Sequence, residues 1–352
     1  MAREGFEEVL AVHDKGSGLR AFIGIHDTTG GPAFGGIRRF AYRDERSALM
    51  DVLRLSIAMS HKCALAEIPA GGGKIVVLDR PDVDLEEGYA FLGRTIERMG
   101  GRYYAGPDVG TGAQELAEVA RHTSHCVPPG DAGPGDLSAA TAAGVFAGMA
   151  AALRSMDGAE DWASRTFVIQ GLGRVGEMLA RRLRALDARV LASELDPRRA
   201  ETLALELGLE LLEAGREFEV EADVFAPCAM GGILHDLSIQ RLRARAVCGA
   251  ANNPLAHARH GERLHERGIL YVPDIVVNAG AVMAGASFHG SGVVVPAEEI
   301  ERRLGELANW ILRTAYEDDV SPARVAHQEA EARLRRRRSV ARSSAPLEPA
   351  RT

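Results

Sequence analysis

Apolar and polar residues alternate along the N-terminal third of the chain with periods that change between strand-like and helix-like. Residues 19–26 are mostly apolar and lead into the turn sequence Asp27-Thr-Thr-Gly-Gly, which predicts a strand. Asp44 is a good helix N-cap, and apolar residues follow it at helical spacing up to about Lys62. A short apolar run over residues 75–78 predicts another strand.

The rest of the chain repeats these patterns in alternation. Asp84 caps a helix that reaches about Met99, a short strand covers residues 102–105, and a helix begins at Thr111 or Gly112. Later strands are predicted at 166–170, 188–193, 222–227, 246–253 and 268–274, and the last helices at 297–316 and 322–334. This alternation predicts an α/β fold with a doubly wound parallel sheet.

Proline and glycine are concentrated between residues 128 and 136, which predicts a domain boundary just after this segment. We expect one α/β domain over residues 1–136. A second, Rossmann-type α/β domain is expected over residues 137–296, with a cleft between the two. The helices at about 297–334 are expected to pack back toward the first domain. Residues 335–352 are rich in arginine and poor in apolar side chains, which predicts a disordered tail.

Composition narrows the class of protein. The 352 residues suggest about two domains, and contents of 46% hydrophobic and 26% charged residues are ordinary for a soluble globular protein. A net charge of −7, from 42 basic and 49 acidic residues, argues against a nucleic-acid partner. We find no apolar run of membrane-spanning length, and the N-terminus lacks the apolar core of a signal peptide.

The cysteines are scattered and lack the paired spacing of a metal site or the arrangement of a disulfide framework; they are Cys63, Cys126, Cys228 and Cys248. We interpret them as free thiols in a reducing compartment. The protein is therefore expected to be cytoplasmic, without a bound metal and without a membrane partner.

A glycine motif in the second half points to a dinucleotide. Gly171-Leu-Gly173-Arg-Val-Gly176 lies between a predicted strand and a predicted helix, and Glu194 ends the next strand about twenty residues later. The glycines allow a tight turn against a pyrophosphate, the helix N-terminus favours its charge, and the carboxylate suits ribose hydroxyls. The alternative, a glycine-rich turn in an unrelated βαβ unit, requires the position of Glu194 to be a coincidence.

Three charged residues in the first half are candidates for chemistry. Lys74 follows three glycines, which predict a turn with a close backbone approach, and it precedes a buried strand. A charge there is costly unless it is paired or functional, although a surface lysine in a glycine loop is the alternative. Lys62 ends the preceding helix. Asp108 lies in a glycine-bounded loop after a strand, a common catalytic position in α/β folds; an ordinary turn residue is its alternative.

Polar residues also follow the later strands. Cys228, Asn253 and Asn278 each come just after a predicted strand of the second domain. Because the carboxyl ends of parallel strands face the ligand crevice, these residues suggest polar contacts to the nicotinamide half of a dinucleotide. For each single asparagine, a loop cap is the alternative.

These motifs occur together, and the chain resembles the glutamate/leucine/phenylalanine/valine dehydrogenase family over nearly its whole length. The resemblance is carried by Gly35-Gly36-Ile-Arg38, Lys62 with Gly72-Gly73-Lys74, Pro107-Asp108-Val-Gly-Thr, the motif at 171–176, Ala226-Pro-Cys-Ala, Ala251-Asn252-Asn253-Pro and Asn278-Ala-Gly. It implies reversible oxidative deamination of an L-amino acid to a 2-oxo acid and ammonia with NAD(P)⁺. It also implies a homo-oligomer in which residues 1–136 form the substrate-binding and catalytic domain and residues 137–296 form the NAD-binding domain.

The resemblance implies a role for each matched residue. Lys62 would bind the substrate carboxylate, Lys74 would activate water and polarise the carbonyl, and Asp108 would carry protons to and from the amino group. Asn278 would hold the carboxylate from the other domain. Substrate contacts are also expected at Phe34, Gly36 and Gly106. The expected cofactor contacts are Gly171, Gly173, Arg174, Val175, Gly176, Glu194, Cys228, Ala229, Asn253 and Asn278.

Position 34 bears on the substrate. Glutamate-specific members of the family carry a lysine there, and this chain carries Phe34, so an apolar substrate side chain is expected. Leucine, valine and phenylalanine remain open, and tryptophan or another aromatic amino acid is an alternative. Glu194 favours NAD over NADP because it would repel a 2′-phosphate, although Arg198 and Arg199 lie just beyond it.

Two other classes of protein are alternatives to an amino acid dehydrogenase. A catalytically silent NAD-binding homologue would be free to lose both lysines and Asp108, which this chain retains. A 2-hydroxy acid dehydrogenase would need a histidine paired with a carboxylate near the cleft, and no histidine has an obvious partner in the sequence.

Overall fold

The computed structural model describes residues 5–128 and 133–344. They form two compact units. The first contains the chain up to Gly135, residues 285–294 and the chain from Glu329 onward, and the second contains Asp136–Ala284 and Val295–Gln328.

The first unit is built on a mixed five-stranded sheet in the order β1-β2-β4-β3-β5. Its strands are β1 Glu8–His13, β2 Arg20–Asp27, β3 Ala33–Phe40, β4 Gly71–Leu78 and β5 Tyr103–Gly106. Its helices are α1 Glu45–Leu65, α2 Leu85–Arg98 and α3 Ala113–Ala120. Strand β3 runs parallel to β4 and β5, while β2 is antiparallel to β1 and β4. Asp44 and Asp84 cap α1 and α2, as predicted.

The two faces of this sheet pack against different helices. Ile37 and Ile75 belong to the larger core cluster, which also includes Leu92 of α2. Val76 belongs instead to a smaller cluster with Val52 of α1. Because side chains alternate along a strand, Phe34, Gly36, Lys74, Tyr104 and Gly106 share the face that α1 covers.

The predicted glycine turn before Lys74 is wrong, because Gly71, Gly72 and Gly73 lie inside β4 and none of them has a positive φ. Packing explains them instead. A Cβ on Gly71 would overlap the carbonyl oxygen of Asp27, and a Cβ on Gly72 would overlap the backbone of Ser60 in α1. Glycine therefore allows β2 and α1 to approach this end of β4 closely.

The second unit is built on a parallel six-stranded sheet in the order β11-β10-β9-β6-β7-β8. Its strands are β6 Thr166–Gln170, β7 Arg189–Ser193, β8 Glu210–Leu211, β9 Ala222–Pro227, β10 Ala244–Val247 and β11 Leu270–Tyr271. The remaining helices in chain order are α4 Leu137–Asp157, α5 Arg174–Ala185, α6 Pro197–Leu207, α7 Asp236–Arg241, α8 Arg259–Glu266, α9 Asp274–Val277, α10 Gly280–Ser291, α11 Ala297–Glu317 and α12 Pro322–Ser344. The parts of α10 from residue 285 and of α12 from residue 329 belong to the first unit. This doubly wound sheet confirms the predicted fold class.

Helices α4 and α11 pack on each other within the second unit. A Cβ on Gly305 of α11 would lie 3.5 Å from the Cβ of Ala147 in α4. Residues 295–328 belong to this unit and the chain from Glu329 onward belongs to the first, and the expected packing of the helices at about 297–334 toward the first domain stays a prediction. By length and composition α4 is able to span a membrane, in contrast to the expectation that no apolar run has that length. Because most of it is buried inside the unit, it is a core helix.

The prediction of a disordered tail from residue 335 is wrong as far as residue 344. Helix α12 continues through the arginine cluster, and Leu334 is fully buried within it. Tertiary contacts of Arg333, Arg337 and Arg338 account for this order, since each donates to groups of the first unit. Residues 345–352 lie outside the described residues.

Candidate active site and dinucleotide site

A buried ion pair joins two of the predicted catalytic residues. Lys74 lies in the middle of β4, and Asp108 follows the end of β5, the strand on the other side of β3. The Nζ of Lys74 lies 2.6 Å from Oδ2 of Asp108, and both side chains are less than a tenth exposed. The first unit therefore brings together a cation and a carboxylate that are 34 residues apart in the sequence.

Arg38 is a second cation on Asp108, and the sequence interpretation gave it no role. Its Nε lies 3.0 Å from Oδ2 of Asp108, and its Nη1 lies 3.2 Å from Oδ2 of Asp51. Asp51 also accepts from the hydroxyl of Tyr42 at 2.6 Å. The sequence could have indicated this contact, because Arg38 comes two residues after Gly36 and therefore lies on the same face of β3.

These charges determine the ionisation of Asp108. Burial alone raises the pKa of this carboxyl, but Lys74 and Arg38 outweigh it and hold the pKa well below its usual value. Asp108 is therefore a carboxylate at neutral pH and accepts hydrogen bonds from both cations. Such a group can receive a proton when a substrate alters the balance of charge around it.

The loop that carries Asp108 is fixed by its neighbours. A Cβ on Gly36 would lie 2.5 Å from the carbonyl oxygen of Pro107, so glycine lets this loop pass close to β3. Thr111 donates its N–H to the Asp108 carbonyl at 2.9 Å, and its hydroxyl lies 2.6 Å from the hydroxyl of Tyr89. The close approach of this loop therefore explains a glycine at position 36 without any substrate contact.

Lys62 lies in the last turn of α1 and its side chain is buried. This helix covers the same face of β4 to which Lys74 belongs. The chain contains 42 basic Lys and Arg residues, and Lys15, Lys62 and Lys74 are its three lysines. Two of these three are buried. Because lysine, unlike arginine, can lose its proton inside a protein, this scarcity was a further sequence signal for chemistry.

An aromatic cluster surrounds the residue predicted to select the substrate. Phe34 is buried and stacks on Tyr104 with ring centroids 4.8 Å apart. His289 of α10 lies edge-on to Phe34 at 5.5 Å and 4.0 Å from Tyr104. Gly106 follows two residues after Tyr104 and faces Val127. The sequence interpretation missed Tyr104 and His289, because only the fold places them beside Phe34.

The glycine motif of the second unit forms a tight cradle between β6 and α5. Gly171 has φ +90°, which favours glycine, and a Cβ on it would lie 2.8 Å from the Cβ of Ala229. A Cβ on Gly176 would overlap the carbonyl oxygen of Gly171. Gly173 is the N-cap of α5, whose first residues are Arg174 and Val175. A Cβ on Gly173 would meet no atom within 4 Å, so the space at this helix N-terminus is open to a ligand.

Glu194 is held at the end of β7 beside this cradle. Its carboxylate accepts from the backbone N–H groups of Leu172 at 2.8 Å and Leu195 at 2.7 Å. Arg199 lies nearby, but its guanidinium is bonded to Glu177 at 2.8 Å and to the carbonyl of Leu172. The carboxylate is therefore fixed next to the first turn of the motif.

Two more predicted cofactor residues lie at the ends of neighbouring strands. Cys228 follows β9, and burial raises the pKa of its thiol to about 11, so it is a neutral group. Asn253 has a left-handed backbone with φ 48°, and its N–H donates to Asp274 at 2.8 Å. Asp274 also accepts from the hydroxyl of Tyr271 at 2.9 Å. Buried partners thus fix the loop that presents Asn253.

Asn278 is held in one orientation. Its Nδ2 donates to the carbonyls of Ala250 and Ala251 at 3.3 and 3.4 Å and to Oδ1 of Asn252 at 3.2 Å. Its Oδ1 is buried and has no partner among the described residues. A free acceptor suits a ligand N–H such as that of a carboxamide, whereas a carboxylate requires donors. The carboxylate role that the resemblance implied for Asn278 stays a prediction.

These features fit a dinucleotide. The cradle would accept a pyrophosphate, Glu194 would accept from ribose hydroxyls, and the free Oδ1 of Asn278 would accept from a nicotinamide carboxamide. Among the residues in the described ranges, no group of three or more His, Cys, Asp or Glu side chains is placed to hold a metal ion. The fold and the two sites define an amino acid dehydrogenase, an oxidoreductase of CH–NH₂ groups.

Comparisons with known proteins agree with this class. The profile described as "Glu/Leu/Phe/Val dehydrogenase, dimerisation domain" matches residues 6–125, and the profile "Glutamate/Leucine/Phenylalanine/Valine dehydrogenase" matches residues 197–333. The phenylalanine dehydrogenase of Caldalkalibacillus thermarum is 38% identical over 340 residues, which cover 94% of this chain and 92% of that protein. The chain belongs to the Glu/Leu/Phe/Val dehydrogenase family.

Two further relatives differ in their substrates. The leucine dehydrogenase of Bacillus subtilis is 34% identical over 342 residues, covering 96% of this chain and 94% of that protein. The crystal structure of L-tryptophan dehydrogenase from Nostoc punctiforme is similar with a TM-score of 0.79 and 34% identity, covering 96% and 98% of the two chains. Each of these relatives is named for an amino acid with an apolar side chain.

Proposed function

We propose that the protein catalyses the NAD-dependent oxidative deamination of an apolar L-amino acid, and the reverse amination of its 2-oxo acid. The observation that carries this proposal is the buried Lys74–Asp108 pair on the same sheet face as Phe34. The pair supplies a proton donor and acceptor, and the phenyl ring stands where glutamate-specific relatives would place a cation. Leucine and phenylalanine side chains are the first candidates, and the tryptophan side chain is the alternative.

The chain's own residues bind and orient the substrate and move its protons. Bound NAD⁺ supplies the hydride acceptor. Lys62 attracts the α-carboxylate, and Lys74 directs its ammonium toward the oxygen that water adds to the substrate carbon. Asp108, 2.6 Å from Lys74, accepts a proton from the amino group and returns it to the departing ammonia. The overall reaction balances: the zwitterionic amino acid, water and NAD⁺ give the 2-oxo carboxylate, an ammonium ion, NADH and a proton.

A test of this activity follows NADH oxidation with ammonium and a panel of 2-oxo acids. We expect turnover with 4-methyl-2-oxopentanoate, phenylpyruvate or indolepyruvate and little with 2-oxoglutarate, because a second carboxylate would meet Phe34 without a counter-ion. Lys74→Ala is expected to abolish turnover while NADH still binds. Exposed Lys15→Ala is the matched control and is expected to behave as wild type. Efficient use of 2-oxoglutarate would contradict the substrate proposal.

We propose NAD rather than NADP as the cofactor. Glu194 places a carboxylate beside the cradle, where it would repel a 2′-phosphate. Arg199 would bind that phosphate only weakly, because its guanidinium already donates hydrogen bonds to Glu177 and to the Leu172 carbonyl. The ratio of kcat/KM for the two cofactors tests this, and a ratio that favours NADP would count against it.

We also propose a cytoplasmic homo-oligomer. The profile that matches residues 6–125 is described as a dimerisation domain, and the four cysteines are unpaired. Light scattering coupled to size-exclusion chromatography measures the assembly, and a monomer at micromolar concentration would contradict the proposal.

A further inference from the structure

Arginines in the C-terminal half of α12 bond to the segment that joins α1 to β4. The Nη2 of Arg337 donates to the carbonyls of Cys63 and Ile68, each at 3.1 Å, and its Nη1 donates to the carbonyl of Ala70 at 3.3 Å. These carbonyls belong to the last turn of α1, to the connecting loop and to the residue just before β4. One guanidinium therefore bridges the helix, the loop and the approach to the strand.

Helix physics explains why a cation lies there. The last four carbonyls of a helix lack partners within the helix and carry partial negative charge. Arg333 donates to one of them, the carbonyl of Leu65, at 2.7 Å, and Arg337 donates to another, that of Cys63. A planar guanidinium has several donors in a fixed fork, whereas an ammonium cannot reproduce this set of contacts.

The loop contains an uncommon backbone conformation. Glu67 adopts φ 53°, in the left-handed region that non-glycine residues rarely occupy. Backbone bonds within the segment, such as that from the Ile68 N–H to the Cys63 carbonyl at 2.9 Å, are supplemented by the arginines. The Oε1 of Glu67 lies 3.2 Å from Nη1 of Arg333. A Cβ on Gly30 would lie 2.6 Å from Nη1 of Arg337, so a glycine leaves the space through which this side chain reaches Ala70.

A neighbouring arginine anchors the same end of β4 from the other side. The Nε of Arg338 lies 2.6 Å from Oδ2 of Asp27, which is almost completely buried. The backbone of Asp27 packs directly on Gly71, the first residue of β4. In contrast, Arg335 and Arg336 point outward from α12 and are exposed. The arginine cluster thus has an inner face that bonds to the first unit and an outer face in solvent.

We propose that Arg337, assisted by Arg333, is a positioning residue that fixes the distance between Lys62 and Lys74. The two lysines lie on either side of the loop that Arg337 bridges, in the last turn of α1 and in β4. Arg337 acts through the backbone and does not touch substrate or cofactor. This inference rests on the proposed function, in which both lysines act on one substrate.

The test compares Arg337→Ala and Arg337→Lys with the control Arg336→Ala, whose side chain is exposed and bonds Glu329 on the same helix. We expect Arg337→Ala to raise KM for the 2-oxo acid about tenfold or more, with a smaller fall in kcat, because misplacement of a binding group weakens productive binding. Affinity for NADH, from fluorescence titration, is expected to stay unchanged. Millimolar guanidinium is expected to restore part of the lost activity, and Arg337→Lys to be intermediate.

Hydrogen exchange supplies a readout that does not depend on turnover. Peptides covering residues 63–71 are expected to exchange faster in Arg337→Ala, while those of β1 and β2 stay unchanged. Wild-type KM, or exchange that rises uniformly over the first unit, would overturn the proposal. If the wild type turns over no 2-oxo acid, the proposed function fails, and unchanged exchange at 63–71 would separately refute the positioning role. Should Arg337→Ala not fold, the same readouts on Arg337→Lys decide.

Discussion

Replacement of Asp108 by asparagine tests both the stability and the chemistry of the buried ion pair. The side chain keeps its shape and one acceptor, but Lys74 and Arg38 lose the carboxylate that lies 2.6 and 3.0 Å from them. Because these groups are buried, the two cations would remain without a full counter-charge. Removing one partner of a buried pair typically costs about 3–5 kcal/mol, and the retained acceptor places this change near 3 kcal/mol.

The matched control is Asp79→Asn, which removes an ion pair with Arg39 at 3.2 Å. The Asp79 side chain is 43% exposed, so solvent screens that pair and the loss is expected to stay below about 1 kcal/mol. Urea unfolding at neutral pH gives both free energies of unfolding. In the same variants kcat is expected to fall by about 10²–10⁴-fold for Asp108→Asn, the usual contribution of a general acid–base group, and to stay unchanged for Asp79→Asn.

The pH dependence has a definite sign. The pKa of Asp108 is depressed in the folded state, so its stabilising contribution is complete above its unfolded pKa of about 4 and is lost as pH falls toward the folded pKa. The difference in stability between wild type and Asp108→Asn should therefore shrink below about pH 4. Equal losses of stability in the two variants, or a wild-type kcat in Asp108→Asn, would refute the reasoning.

Three other substitutions test the two sites. Phe34→Ala opens the aromatic cluster and should favour bulkier 2-oxo acids by about tenfold in relative kcat/KM, since each buried CH₂ contributes about 0.8 kcal/mol; an unchanged ranking would assign Phe34 to the core. Lys62→Ala should raise KM for the 2-oxo acid without changing NADH affinity, and an unchanged KM would contradict its role. Gly176→Ala should weaken NADH binding in a fluorescence titration, because its Cβ would overlap the Gly171 carbonyl.

Features that depend only on neighbouring residues could be predicted from the sequence. Asp44 and Asp84 cap their helices because a carboxylate accepts from the N–H groups three residues on, which needs no distant partner. The glycine motif and Glu194 were readable for a similar reason. A strand, a tight turn and a helix place them in one βαβ unit, so their spacing along the chain already contains the geometry.

The three glycines before Lys74 show where such reading fails. Glycine occurs both where φ is positive and where another chain segment approaches closely, and the sequence does not distinguish these two needs. The fold shows close approach, by Asp27 to Gly71 and by Ser60 to Gly72. The prediction of disorder for the arginine cluster was also wrong, because the partners of these arginines are distant in the sequence. Charge and low apolar content predicted disorder, but the carbonyls that bind Arg333 and Arg337 lie more than 260 residues away in the sequence.

The sequence by itself determined the fold class and the glycine motif, because motifs and periodicity are local, and it singled out Lys62, Lys74 and Asp108 as predicted site residues. Only the tertiary structure decided that Arg38 shares Asp108 with Lys74 and that Tyr104 and His289 pack on Phe34. These contacts depend on strand order and register, which bring β3, β4 and β5 side by side. Pairing between strands is set by burial of the whole sheet, and no single segment of the sequence specifies it.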